Sequence, residues 1–362
     1  MRVVLATDAR TAGGVGRHLR DLATGLVSRG LDVRLAAPKG SRVAGIAAGI
    51  GAEFTAFEDG VERADIWHLH LADTYHRQSV RLLGLARVSS RRVIVTEHLP
   101  RSNASDDTLT NDPRTPGAAT AKTAFKRLQL GLAHSVIAVS EASRRFLIER
   151  YGLSPHRIIT IHNGIDIERF RFEAAEVRPA GRPVVVSAGA LIRQKGHDVL
   201  IEATARSQRN WTAVIAGSGP QLDSLRSLAG QVAPDRVEFR GWVDDVPRLM
   251  RKASVVCLPS RWESFAYVVL EAMALATPLV ATRVDGVCEL ITDERSGLLV
   301  DRDDPVALAA AIDRSIDGGP SVDEMTANAL QDVRGFHLDT MVDKTLTHYR
   351  RSLGRLAMSG GC

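Results

Sequence analysis

The sequence predicts an α/β protein built from two doubly wound lobes in succession. Three observations carry that expectation: a length of 362 residues, short continuous apolar runs alternating with helical patterns, and a polar stretch with two prolines that separates two series of such runs. A chain of this length exceeds one ordinary core and suits two domains of ~150 to 200 residues each. Unbroken Val/Ile/Leu runs, as opposed to strict apolar–polar alternation, mark parallel strands covered on both faces.

The first series reads "RVVLAT" (2–7), "DVRLAA" (32–37), "DIWHLH" (65–70), "RVIVTE" (92–97), "SVIAVS" (135–140) and "RIITIH" (157–162). A second series starts after Arg182 with "PVVVSAG", "WTAVIAG", "RVEFRG", "ASVVCLP", "PLVAT" and "GLLVD". Between them, 170–183 is the linker candidate, so the expected division is a first domain over 1–170, a linker over 171–183 and a second domain over 184–335. Residues 336–362 carry Met341, Leu346, Tyr349 and Leu353 at helical spacing, which predicts a last amphipathic helix docked on the first domain. The segment 101–120, polar and containing Pro and Gly, is a long insertion of the kind that is functional or mobile.

Composition removes several classes. Hydrophobic content of 44% and charged content of 25% describe a globular chain, not a disordered or fibrous one. The apolar run at Val3 is broken by Asp8, and no stretch approaches the ~18 apolar residues of a membrane span, so the expected location is the cytoplasm. Cysteines 257, 288 and 362 fit neither a disulfide framework nor a zinc site. Arginine dominates the basic residues, which points to a GC-rich bacterial genome. Residues 1–170 hold 24 basic and 17 acidic side chains, an excess that attracts an acidic acceptor or an anionic membrane surface, or is simply a solvated face. "KTAFKRLQLGL" sets Lys122, Lys126 and Arg127 against Phe125, Leu128 and Leu132, which leaves peripheral contact with a bilayer beside a core-packed helix as the two readings. Nucleic acid is not an expected partner, since no basic stripe is interleaved with aromatics.

Ligands of open parallel sheets bind outside the carboxyl ends of the strands, and three motifs fall there. In "TAGGVGRH", Gly14 and Gly16 allow close backbone approach at a helix expected to start near Val15, whose N-terminus attracts an anion. The pattern is GGxG and no acid ends the second strand, so the dinucleotide fingerprint is not met. In "GALIRQKGHDVL", Arg193 and Lys195 precede a helix expected near His197, an arrangement suited to a diphosphate. In "PSRWESFAYVVLEAMALATP", Ser264 is a candidate N-cap for a helix from about Phe265, with Glu263 beside its N-terminus and Glu271 two turns inside. A carboxylate among Tyr267, Val268, Ala274 and Leu275 needs donors, and vicinal sugar hydroxyls provide them.

"PSRWESFAYVVLEAMALATPLVA", with its two glutamates eight apart, resembles the signature of the retaining GT-B glycosyltransferases of family 4. The resemblance extends through "GGVGRHLRDLATGLVSRGLDVRL", "IHNGIDIERF", "QKGHDVLIEA", "AGSGPQLDSL", "VEFRGWVDDVPRLM" and "GLLVDRDDPVALAAAI". It implies two Rossmann-like domains facing a cleft, with a C-terminal helix crossing back to the first. It implies that Glu271 binds the donor's ribose, that Glu263 contacts the transferred sugar and that Lys195 clamps the diphosphate. The amides of Phe265, Ala266, Tyr267 and Val268 would line the sugar and phosphates, with Ser264 beside them as a further donor-side residue, and Gly14 would present its amide near the diphosphate. His98 matches the family's histidine near sugar and acceptor, with Glu97 as a second acceptor-side candidate. Where the family carries Arg after the "G" of "G-R-L", this chain has Ala190, and Arg193 is the candidate replacement. His68 and His70 are read as alternating across their strand, so that only one faces the cleft.

The implied reaction takes a sugar from a nucleoside diphosphate, with UDP-glucose or UDP-GlcNAc favoured, to a hydroxyl of a glycolipid, small metabolite or natural-product aglycone. No cofactor and no metal are implied; "DRD" at 301–303 precedes a helix start, where acids belong in any case. A nucleotide-sugar 2-epimerase on the same fold, or a non-catalytic nucleotide-sugar-binding module, are the alternatives.

Overall fold

The computed structural model describes residues 1–8, 13–60, 62–71, 77–98, 116–171 and 181–359. The strands, in chain order, are β1 (Arg2–Thr7), β2 (Asp32–Ala37), β3 (Glu53–Ala56), β4 (Ala64–Leu71), β5 (Ser90–Glu97), β6 (Ser135–Ala138), β7 (Ile158–Thr160), β8 (Val184–Ala188), β9 (Thr212–Ala216), β10 (Val237–Gly241), β11 (Val255–Leu258), β12 (Leu279–Thr282) and β13 (Leu298–Val300). They form two sheets, ordered β3-β2-β1-β4-β5-β6-β7 and β10-β9-β8-β11-β12-β13, and every pairing is parallel. All twelve apolar runs read from the sequence are strands. β3 was not among them: "EFTA" is short, half-polar and at the sheet's edge, and so lacks the continuous apolar signal.

Two compact units result, Met1–Gly164 together with Leu338–Cys362, and Ile165–His337. In the first, successive residues of one strand serve opposite cores, as the pleat requires. Val3 and Leu5 pack with Leu19, Leu22 and Leu26 of helix Gly14–Ser28 and with Met341, Val342, Leu346 and Tyr349 of helix Leu338–Ser359. Val4 and Ala6 pack on the other face with Trp67, Leu69, Leu83 and Val95. The last helix thus joins the first sheet's core, as its apolar stripe predicts. Gly25 is where the two helices meet, since a Cβ there would stand 2.5 Å from Val342.

The unit boundary falls earlier than the expected linker. Helix Ile167–Arg171 goes with the second unit because Ile167 and Phe170 are buried and the Ile165 amide bonds the Phe336 carbonyl at 3.0 Å. Residues 172–180 of the expected linker, and 101–115 of the expected insertion, lie outside the described residues. In the second unit Val185, Ala213, Ile215, Val255, Cys257, Val280 and Leu298 form one core face of the sheet, so Cys257 is the buried small hydrophobe its context predicts. No described helix is long and apolar enough to cross a membrane.

Candidate functional site

Each sheet reverses its order of addition at one place: between β1 and β4 in the first unit, between β8 and β11 in the second. At such a point the loops leaving adjacent strands part and open a crevice at the carboxyl edge. The predicted donor residues leave β8 and β11.

After β8, Gly189 leads through a short 3-10 turn, Arg193–Lys195, into helix His197–Arg206, whose start is where the sequence placed it. Gly196 adopts a left-handed φ of 63°, and a Cβ on it would stand 2.0 Å from the Pro259 carbonyl oxygen. Only glycine lets the two loops close to this distance. From the other side, a Cβ on Gly286 would fall 2.2 Å from the Ser264 oxygen, and the Gly286 amide bonds the Glu263 carbonyl at 3.3 Å.

That clamp corrects the predicted helix start. Glu263, Ser264 and Phe265 remain outside the helix, which runs Tyr267–Ala274 with Ala266 as N-cap and no side-chain cap. Ser264 is buried and does not cap; its chain direction is set by Gly286 behind it. Phe265 is also buried and packs edge-on against Phe336, ring centroids 5.5 Å apart. Glu271 sits inside the helix at 4% exposure, between Leu270 and Ala272, which are fully buried.

Lys195 and Glu263 meet across the switch point: the ammonium lies 2.6 Å from Glu263 Oε1, which also accepts from the Ser260 hydroxyl at 2.7 Å. Their side chains are 21% and 6% exposed. An ammonium has three N–H donors, and this bond uses one. Arg193 is exposed, and its carbonyl accepts from Arg261 at 2.7 Å. Arg261 was not foreseen. It donates twice to Asp198, at 2.9 and 2.7 Å, once to Asp303 at 2.7 Å, and its amide bonds the Gln194 carbonyl, so one guanidinium fastens the two site loops and the 301–303 segment. Hydrogen bonding to Asp198 holds the Arg261 pKa above its ordinary value. Asp303 of the "DRD" run is thereby committed to a cation of the protein, while Asp304 caps helix Pro305–Asp317 by accepting from the amides of Val306 and Ala307.

In the first unit Gly14 opens helix Gly14–Ser28 and is exposed, Gly16 is buried in its first turn, and Gly13 is the N-cap. His98, just past β5, is buried beside His18 of that helix and His70 of β4. Ring centroids are 4.7 Å apart for His18 and His98, and 5.1 Å for His18 and His70. Burial pushes His18 down to about 4, against the opposing bond from Asn163, and pushes His68, His70 and His98 well below the usual imidazole range. These rings are neutral near pH 7.

One expectation is corrected here. His68 and His70 do not alternate across their strand: residues two apart share a face, and their rings lie 4.2 Å apart, centroid to centroid. Glu97 is 1% exposed and pairs with Lys126, Nζ to Oε2 2.5 Å, a close ionic contact that misses hydrogen-bond angles. Lys126 is fully buried and Leu128 is 60% exposed, so the basic and apolar positions of helix Pro116–Gly131 do not separate as its sequence pattern suggests. The pairing overrides amphipathic periodicity because it neutralises the ammonium that would otherwise seek water.

Comparison with known proteins follows this division. The family described as "Glycosyltransferase Family 4" matches residues 12–169, and "Glycosyl transferases group 1" matches 168–332. A D-inositol 3-phosphate glycosyltransferase of Catenulispora acidiphila is 32% identical over 257 residues, 65% of this chain and 62% of that protein. Another of that name, from Acidothermus cellulolyticus, is 34% identical over 230 residues, 58% of this chain and 51% of its own length. Such alignments thus span about half to three-fifths of the relatives. Anabaena HepE in complex with UDP superposes with a TM-score of 0.79 at 20% identity, covering 97% of this chain and 100% of that one. Sucrose-phosphate synthase from Thermosynechococcus elongatus gives 0.76 at 20% identity, with 98% and 99% covered. Two adjoining family matches that together run from residue 12 to residue 332, on two parallel doubly wound sheets, place the chain among the family 4, group 1 glycosyltransferases of GT-B fold.

Proposed function

We propose that the protein transfers a sugar, with retention, from a nucleoside diphosphate to a hydroxyl acceptor, with UDP as the favoured nucleotide and no metal in the transfer step. The observation that carries this reading is the Lys195–Glu263–Ser260 cluster at the β8/β11 switch point, where a cation, a carboxylate and a hydroxyl converge at 2.6 and 2.7 Å. UDP in the HepE complexes and the sugar-transferring names of the relatives support the donor class.

In this reading Lys195 keeps its bond to Glu263 and turns its two remaining N–H donors to the diphosphate. Glu263, held by Ser260, accepts from a hydroxyl of the transferred sugar, and Glu271 accepts from the ribose. The bond from the anomeric carbon to the phosphate oxygen breaks as the acceptor oxygen bonds the same face of that carbon. The acceptor's proton passes to the departing phosphate oxygen, and Lys195 stabilises the charge that develops there. His98, neutral at pH 7, lines the acceptor side as a hydrogen-bonding group. Among acceptors, a small polyol-like metabolite is favoured by the inositol phosphate named for several relatives.

The test is to incubate the protein with UDP-, GDP-, ADP- and TDP-sugars and a panel of polyol, aglycone and lipid acceptors, and to follow nucleoside diphosphate release and product mass. Acceptor-dependent release, with an α-linked product from an α-linked donor, is expected. Turnover without acceptor would point to an epimerase, and donor binding without turnover to a binding module.

A further inference from the structure

Arg261 lies two residues before Glu263 and reaches the loop that carries Lys195. Nε donates to Asp303 Oδ1 at 2.7 Å, Nη1 to the Arg193 carbonyl at 2.7 Å and to Asp198 Oδ1 at 2.9 Å, and Nη2 to Asp198 Oδ2 at 2.7 Å. One N–H on Nε, two on Nη1 and one on Nη2 are thereby occupied, which leaves one of the five. A guanidinium so committed holds protein to protein and does not grip a phosphate.

What it holds is the frame of the Lys195–Glu263 pair. Arg193 and Asp198 flank Lys195 by two and three residues. The Arg261 amide bonds the Gln194 carbonyl at 2.7 Å and Gln194 Nε2 bonds the Trp262 carbonyl at 3.0 Å, so the same two loops are also joined without the guanidinium. The two-pronged bond to Asp198 adds to this approach a fixed orientation. Asp303 enters from the segment after β13 with a φ of 60°, in the left-handed region that a residue other than glycine adopts sparingly. Its bond to Nε ties that turn to the site, so the 301–303 run bears on the pair without touching the donor.

We infer that Arg261 is a positioning residue for sugar transfer: together with Asp198 and Asp303 it sets the spacing of Lys195 and Glu263. The inference rests on the donor role proposed for that pair. Lysine is no substitute, because three N–H groups on one tetrahedral nitrogen cannot span a planar fork and two further acceptors.

The experiment uses the full chain and two readouts. The first, independent of turnover, is the coupling between Lys195→Met and Glu263→Gln in urea unfolding, measured in the wild-type and Arg261→Lys backgrounds; it should fall to roughly half or less in the second. The second is steady-state kinetics at a temperature well below each variant's melting transition. Arg261→Lys and Asp198→Asn should lower kcat about tenfold to a hundredfold, the cost of misplaced reacting groups, whereas a merely structural role would lower the melting temperature and leave kcat of the folded fraction unchanged. Asp303→Asn, at a half-exposed side chain, should lower kcat a few-fold and keeps the test available if the other variants do not fold. Arg209→Met, which breaks an exposed pair with Asp317 outside the site, should change neither readout. Coupling that is absent from the wild-type protein or unchanged in Arg261→Lys, or a wild-type kcat in folded Arg261→Lys or Asp303→Asn, would overturn the inference. A wild-type protein that transfers no sugar would overturn the proposed function instead, and the coupling would still decide whether Arg261 sets the pair.

Discussion

Lys195 and Glu263 form an ion pair across the switch point of the second sheet, Nζ to Oε1 2.6 Å, with the Ser260 hydroxyl on the same oxygen. With Glu263 at 6% and Lys195 at 21% side-chain exposure, removing either partner strands a charge that water reaches poorly. Glu263→Gln and Lys195→Met should each cost about 2 to 3 kcal/mol, less than a fully enclosed pair because Lys195 is part-exposed. The double variant should recover part of that loss. A thermodynamic cycle from urea unfolding measures the coupling, and additive losses would show that the pair contributes nothing of its own.

Gly196 and Gly286 hold the site loops together by having no Cβ. Gly286→Ala places a methyl 2.2 Å from the Ser264 oxygen and should displace the 263–264 segment, destabilising the protein by about 1–3 kcal/mol. Nucleotide-sugar affinity should fall as well, since Glu263 moves with that segment. Isothermal titration against the wild-type protein checks it. A control at Gly230→Ala, where nothing lies within 4 Å, should leave affinity unchanged.

The Glu97–Lys126 pair predicts a larger effect. Both side chains are enclosed, at 1% and 0%, so Lys126→Met should destabilise by about 3–5 kcal/mol by leaving an uncompensated carboxylate. Glu97→Gln in the same chain should restore most of it. Denaturant midpoints of the two single variants and the double variant settle the sign.

Acid should unfold the first unit early. His18 titrates in the usual imidazole range, near 6.5, when unfolded, and near 4 when folded, because burial disfavours its cation. Between those values the unfolded chain binds the extra proton, so stability is fully present above about 6.5 and falls as pH drops toward 4, by about 1.4 kcal/mol per pH unit for one such group. His70 and His98 add in the same direction. The melting temperature measured from pH 7.5 to 4.5 should decline more steeply for the wild-type protein than for His18→Gln.

Much of this was legible because it is local. Continuous apolar runs marked twelve strands, and the apolar stripe at Met341, Leu346 and Tyr349 marked the docked last helix. What failed is tertiary. Ser264 looks like a helix cap until Gly286, more than twenty residues on, fixes the loop ahead of it. Lys126 looks solvent-facing until Glu97 meets it, and Arg261 looks unremarkable until Asp198 and Asp303 arrive from 63 and 42 residues away. His18, His70 and His98 come from a helix, a strand and a strand end, so no spacing rule groups them. His68 and His70 were a misapplied period: their shared face follows from the sequence alone.

Binding of the donor is the most direct measure of the account. A thermal-shift titration with UDP-glucose, alongside GDP-, ADP- and TDP-sugars, should raise the wild-type melting point, with ~2.7 kcal/mol of stabilisation at about 100 times the dissociation constant. Glu271→Ala, folded and with its own melting transition, should lose the shift. No response of the wild-type protein to any of the four, or a full response retained by Glu271→Ala, would contradict it.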